Sequence, residues 1–214
     1  MLSCVLPKDE ISKKFQEKIL FQEFFREDID KIIKITPSTC HQLGLTIWNE
    51  IVQKKIHPVN PQEIAKYVQK GDPKLHKKIA NIIRRPVVHE LYYGVGKLQE
   101  GAYQDPVVCE LFIAHIYPNT FYLADILLQN PKKPIDQAEM KFQHQTHEGL
   151  GLLPMIMEKI ESVSVEHRFE QISLTAATIE HVPLFEKYGF KIQDSEAGRL
   201  SQKYGVGIPM ERPL

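Results

Sequence analysis

The stretch Thr146-His147-Glu148-Gly149-Leu150-Gly151, followed by the apolar run Leu152 to Val163 and by Gln171-Ile172-Ser173-Leu174-Thr175-Ala176, decides how this chain is read. It closes with Val182-Pro183-Leu184-Phe185-Glu186-Lys187-Tyr188-Gly189-Phe190. Two glycines one residue apart let the backbone turn sharply and aim N–H groups at one point. Leu152, Leu153, Ile156, Met157, Ile160 and Val163 then recur at helical spacing. Amides at such a helix start, with the positive end of the helix dipole, suit an anion such as a pyrophosphate. Alone, Gly149-Leu150-Gly151 is weak evidence and reads first as a tight turn into a helix. Ile172 to Ala176 fits a short strand. Pro183 fits the first turn of a second helix, and Gly189 its stop, which sends Phe190-Lys191-Ile192 into another strand. Val206 to Arg212 offers a last strand.

Upstream, Val87 to Leu98, Val107 to Tyr117 and Thr120 to Leu128 are rich in β-branched and aromatic residues. Turn signals separate them at Gln99 to Asp105 and at Pro118-Asn119, so they read as a three-strand antiparallel meander. Asn130-Pro131-Lys132-Lys133-Pro134 reads as a break in regular structure, and Ile135 to Gln145 as a loop or short insert. The first 85 residues read as mainly helical. Ser38 or Thr39 caps a helix to about Lys55 with Leu43, Leu45, Ile47, Trp48 and Ile51 on its stripe. Asn60-Pro61-Gln62-Glu63 starts a second that ends near Gly71, and Asp72-Pro73 a third that runs to about Arg84. Lys18 to Phe25 fits a helix or a strand.

The order strand, turn, helix, strand, helix, strand, strand resembles the acyl-coenzyme A binding half of the GNAT acyltransferase superfamily. Thr146 to Gly151 is similar to that family's (Arg or Gln)-x-x-Gly-x-(Gly or Ala) turn, and Leu184 to Phe190 to its Leu-Tyr-Glu-Lys-x-Gly-Phe signature. The resemblance implies an α/β (α+β) fold, GNAT-like: a mixed, mostly antiparallel sheet flanked by helices, with a largely helical N-terminal portion. One domain over 1–214 is expected, divided into a helical portion 1–85, a meander 86–129 and an acyl-CoA-binding half 146–214. It further implies an acetyl-CoA-dependent N-acetyltransferase, with acetyl-CoA as cosubstrate and an amine of a small molecule or protein attacking the thioester in a ternary complex. Backbone near Leu127 and Leu128 would polarise the carbonyl. Thr146, His147, Glu148, Gly149, Leu150 and Gly151, with Thr178 and Phe185, would line the coenzyme. The family's base sits on the fourth strand, where Asp125 and Tyr122 are the candidates. Three residues apart in an ideal strand, they would face opposite sides. Glu110 and His115 on the preceding strand read as ordinary residues with their polar ends in solvent.

The chain departs from the family pattern at two polar positions. Thr146 stands where the family has Arg or Gln, with Gln145 adjacent. Phe185 stands where the family has the tyrosine that protonates the departing thiolate, and Tyr188 is the candidate replacement. These departures favour an alternative: a GNAT-fold module that binds coenzyme A or a protein partner without turnover. A third reading is an unrelated α+β interaction domain.

Composition excludes other classes. Lys+Arg and Asp+Glu both number 27, which supplies no field for a nucleic acid. Three separated cysteines, Cys4, Cys40 and Cys109, read as reduced thiols of a cytoplasmic protein. His144-Gln145-Thr146-His147-Glu148 lacks the spacing of a zinc helix, so no metal is expected. Met1 to Asp9 does not read as a signal peptide and no membrane span is expected. A homodimer is left open.

Overall fold

The computed structural model describes residues 1–47, 74, 77, 81–99, 103, 105–142 and 145–214. The expected helices from Asn60 to Gly71 and from Asp72, and the helix from Ser38 beyond Ile47 with its Trp48 and Ile51, lie largely or wholly outside these residues. So does His144.

The fold class is the expected one, a mixed and mostly antiparallel sheet flanked by helices. Its strands are β1 (Ile19–Phe25), β2 (Val88–Leu98), β3 (Val107–Ile116), β4 (Thr120–Pro134), β5 (His147–Gly149), β6 (Gln171–Thr178), β7 (Lys191–Ile192) and β8 (Val206–Pro213). Their order across the sheet is β1-β2-β3-β4-β6-β8-β7, and β5 pairs with the far end of β4. Among the described strands only β4 and β6 run parallel. Lys18 to Phe25, open between helix and strand, resolves as β1 because Phe21, Phe24 and their neighbours pair along β2 from Ile19–Leu98 to Phe25–Tyr92.

Six described helices matter here: α1 (Lys8–Lys13), α2 (Ile29–Ile35), α3 (Pro37–Ile47), α4 (Leu153–Glu166), α5 (Val182–Glu186) and α6 (Glu196–Tyr204). Alternation along the strands divides the core in two. Phe121, Leu123, Ile113 and Ile172 pack with Ile156, Met157 and Ile160 of α4, with Phe185 of α5 and with the N-terminal Leu2, Val5 and Ile11. Tyr122, Phe112 and Ala114 pack on the opposite face with Ile32, Ile33, Cys40, Leu43 and Ile47 of α2 and α3.

Two local readings are corrected. Asn130 to Pro134 continues β4 as half of a short ribbon with β5, in which Gln129 pairs with Gly149 and Pro134 with His147. Proline is tolerated there because so short and irregular a ribbon has few ladder bonds to lose. The second correction is α6, which the sequence reading passed over. Its capping signals were legible: Ser195 Oγ accepts from the Gly198 amide, and Gly205 ends the helix at φ +72°.

Candidate active site

The parallel pairing of β4 with β6 runs from Thr120–Gln171 to Leu123–Leu174 and stops. Beyond it β4 stays with β3 through Leu128, while β6 stays with β8 through Thr178. The sheet therefore parts into a V. Its gap is a cleft of about 440 Å³, lined on one side by Asp125 to Gln129 and on the other by Leu174, Thr175 and Ala177. One end is closed by Thr146, His147 and Gly149 to Leu153, and the floor by His181, Leu184 and Phe185. That volume and its apolar lining fit an extended, narrow ligand arm.

The strands part next to a β-bulge. Phe112 pairs with Asp125 but Ile113 pairs with Leu123, which leaves Ala124 as an extra residue in β4. The bulge overturns the expectation that Tyr122 and Asp125 face opposite sides. Tyr122 lies in the cluster beneath α3, and Asp125 accepts a hydrogen bond from Thr39 of the same helix, Oγ1 to Oδ2 at 2.9 Å. Burial pushes the Asp125 carboxyl above its usual range, opposed by the Thr39 hydroxyl and by the Ile126 amide. Glu110, two residues before Phe112 and so on this same face, is also corrected. Its carboxyl is partly buried and is held above the ordinary range by burial first and then by the charge of Asp125. The Tyr122 hydroxyl lies outside the cleft wall, 3.0 Å from Thr175 Oγ1 and 3.4 Å from Thr46 Oγ1. Thr175 connects it to the cleft.

The glycine turn is narrower than the sequence suggested. His147 to Gly149 belong to β5, and the Leu150 amide donates to the Leu128 carbonyl at 3.3 Å. The turn proper is Gly151, at φ +69°, leading into Leu152. Ile156 makes its bond to the Leu152 carbonyl, and Pro154 has no N–H. The donors left for an anion are those around Gly151, Leu152 and Leu153, within the first turn of α4. Because the Leu128 carbonyl points away from β3, its N–H points the same way, into the gap. Leu127, paired with Glu110, turns its backbone to β3 and contributes to the cleft wall by its side chain.

The remaining candidates divide. Thr146 lines the cleft mouth with its Oγ1 2.9 Å from His147 Nδ1. Glu148 points out of the cleft to an ion pair with Lys133 at 2.9 Å, both largely exposed. Phe185 lines the floor and packs edge-on against Phe190. Tyr188 is not part of the cleft: α5 ends at Glu186, and the Tyr188 carbonyl accepts from Arg212 Nη1 at 2.8 Å in the turn before β7. Thr178 is buried behind the floor, 2.8 Å from His181 Nδ1.

His181 and Phe142 were missed. Phe142 comes from the segment that sequence could not place, and its ring stacks on His181 with centroids 4.6 Å apart and planes 23° apart. The signal available for His181 was its position four residues before Phe185, one helical turn away. Among the described residues no lysine, arginine or cysteine lines the cleft. No group of three His, Cys, Asp or Glu among them is placed to hold a metal ion, and no helix among them is long and apolar enough to cross a membrane.

No family model matches this sequence, and no curated protein matches it. Among solved structures it is similar to several acetyltransferases, one of them described as of the GNAT family. An IAA acetyltransferase from Bacillus cereus ATCC 14579 is 14% identical over 92% of this chain and 100% of that one, with a TM-score of 0.40. A GNAT-family acetyltransferase from Listeria monocytogenes 4b F2365 is 12% identical over 92% and 95%, with a TM-score of 0.37. A spermidine N-acetyltransferase SpeG chimera from Vibrio cholerae and hSSAT is 14% identical over 91% and 95%, with a TM-score of 0.36. Likeness at this level carries no residue roles, which the geometry of the cleft must supply.

Proposed function

We propose that this chain is an acyl-coenzyme A dependent N-acyltransferase, with acetyl the preferred group and an amine the acceptor. The observation that carries the reading is the V between β4 and β6: an apolar slot bounded by backbone edges and closed at one end by the turn into α4. A pantetheine arm fits such a slot. Its pyrophosphate would meet the amides around Gly151 to Leu153, with no lysine or arginine of the described lining to assist.

In the reaction, the neutral amine nitrogen attacks the thioester carbonyl, the C–S bond breaks, and the thiolate leaves with a proton while the nitrogen gives one up. The Leu128 amide, aimed into the gap, would stabilise the developing oxyanion. Asp125 would take the amine's proton directly or through water. A carboxyl raised above its usual range is a better base than an ordinary aspartate and is still ionised when its pKa lies below the working pH. Tyr122, through Thr175, would hold solvent or acceptor on that side. Holding amine and thioester together supplies the rest of the rate.

A second reading, a module that binds coenzyme A without turnover, is favoured by Phe185, which has no proton to give, and by a described cleft lining without lysine or arginine. The two separate in one experiment. Coenzyme A and acetyl-CoA should both raise the melting temperature, and a panel of amines should release free thiol. Stabilisation without thiol release would establish the binding module. Absence of both at millimolar coenzyme would exclude either reading and leave an α+β interaction domain.

A further inference from the structure

We infer that His181 delivers the proton taken up by the departing thiolate, a part for which Phe185 has no group. This inference rests on the acyltransfer reading and assigns it a residue. His181 ends the 3-10 turn Ile179–His181 that runs directly into α5, and it stands one turn before Phe185. Both side chains line the same cleft.

The imidazole is held from two sides. Its Nδ1 lies 2.8 Å from the buried Thr178 hydroxyl, and Phe142 lies nearly flat against the ring at 4.6 Å. In the imidazolium form Nδ1 donates to the Thr178 hydroxyl oxygen, and the second N–H, on Nε2, is left for a ligand in the cleft. Such clamping fixes the ring plane, as a proton donor to one sulfur requires. Among the described lining residues, the side chains that ionise are Asp125, His147 and His181. Asp125 is tied to α3 on the far wall, and His147 sits on β5 at the mouth. Of these three, only His181 shares the floor with Phe185.

The step balances without a further reactant. As the C–S bond breaks, its electron pair goes to sulfur, which takes the Nε2 proton of the imidazolium and leaves the ring neutral. The ring recovers a proton from solvent, and the proton lost by the amine leaves through Asp125. Burial lowers the imidazole pKa from its usual value, opposed by the adjacent Glu180, and a more acidic ring is a readier donor to a thiolate. Phe142 against it is uncharged, and Asp125 and His147 are the other ionising side chains of the described lining.

The test uses the full chain, with acetyl-CoA and whichever amine of a panel releases thiol. Wild type, His181→Gln and the double variant His181→Gln with Phe185→Tyr are compared for kcat against pH and for coenzyme A affinity by calorimetry. The expected result is affinity within about twofold, kcat lowered about 100-fold in His181→Gln, and at least a tenfold recovery in the double variant. The ionisation of the imidazole should vanish from the pH profile in both. Full kcat in His181→Gln, a loss of coenzyme A binding that accounts for its defect, or no recovery on adding the tyrosine would each overturn the assignment. A wild type that neither binds coenzyme A nor releases thiol would fail before any variant is made, and that outcome overturns the acyltransfer reading itself.

Discussion

Asp125 and Tyr122, three residues apart in one strand, face the same helix, because the extra Ala124 between them turns the second half of β4 over. The bulge does two things at once. It brings a carboxylate to the side from which α3 packs, and it swings β4 away from β6 so that a cleft opens beside that carboxylate. A regular strand would have offered one or the other.

Asp125 should limit stability as well as turnover. Its folded pKa lies above the ordinary carboxylate value of 3.8, so between the two values the native state binds more protons than the unfolded chain. Stability therefore falls as pH rises through that window, and the loss persists above it. Asp125→Asn, which can still accept from Thr39, should melt at or above the wild-type temperature at pH 7 and show a flatter profile in the acid range. The same variant should lower kcat by about 100-fold. A melting temperature lower than wild type at pH 7, from calorimetry at several pH values, would show that the charge is stabilising there.

The two glycines of the turn should respond differently. Gly151 has φ +69°, and a Cβ there would meet nothing within 4 Å, so Gly151→Ala costs backbone strain alone, about 1 kcal/mol. For a chain of this size that is a drop of roughly 2–4 °C in melting temperature. Gly149 lies in extended β5, where a Cβ would meet the Leu128 carbonyl oxygen at 3.6 Å, an ordinary contact. Gly149→Ala should therefore fold normally, while Gly149→Trp, filling the cleft mouth, should abolish stabilisation by coenzyme A. Thermal shift with and without the coenzyme reads both.

The fold was legible wherever pattern and end signals agreed. The meander, α4 with its apolar spacing, and Pro183 and Gly189 bounding the next helical turn all stand where the residues put them. The site was legible only in part, because what assembles it is non-local. Nothing in Tyr122-Leu123-Ala124-Asp125 marks a bulge, since that bulge exists only against Phe112 and Ile113 of β3. The partner of Asp125, Thr39, is 86 residues away. His181 and Phe142 meet across a polar segment with no periodicity to read. Tyr188 lies outside the cleft lining for a local reason: counting three residues from Phe185 assumed a helix that stops at Glu186.

Phe142 should govern the environment of His181. The ring stack shields the imidazole, and burial is the principal cause of its lowered pKa. Phe142→Ala should let water reach the ring, so that its titration midpoint moves up toward the ordinary 6.5. Loss of one wall of the cleft should also weaken coenzyme A binding by roughly 3- to 10-fold, the worth of one aromatic contact of about 1 kcal/mol. Titration of the histidine ring protons by NMR tests the first effect and calorimetry the second. An unmoved midpoint would mean that the segment carrying Phe142 does not cover His181 in solution.

The cysteines should take no part in the chemistry, and their reactivity gives a direct check. Cys40 and Cys109 are fully buried, and burial pushes both thiols up to about 12. At pH 8 that leaves on the order of one thiolate in 10⁴ at either site, too little for attack on a thioester. Neither lines the cleft, whereas Cys4 is exposed. Iodoacetamide should therefore label the native protein once, at Cys4, and all three residues after unfolding. Incubation with acetyl-CoA and no amine should leave no acetyl group on the protein by intact mass, because the acyl transfer proposed above is direct and not through a cysteine. Cys40→Ala and Cys109→Ala should lose stability by the cavity each leaves and keep the thiol-release rate of the folded fraction. An acetylated Cys40 or Cys109 recovered from the native protein would replace the ternary-complex mechanism with a covalent one.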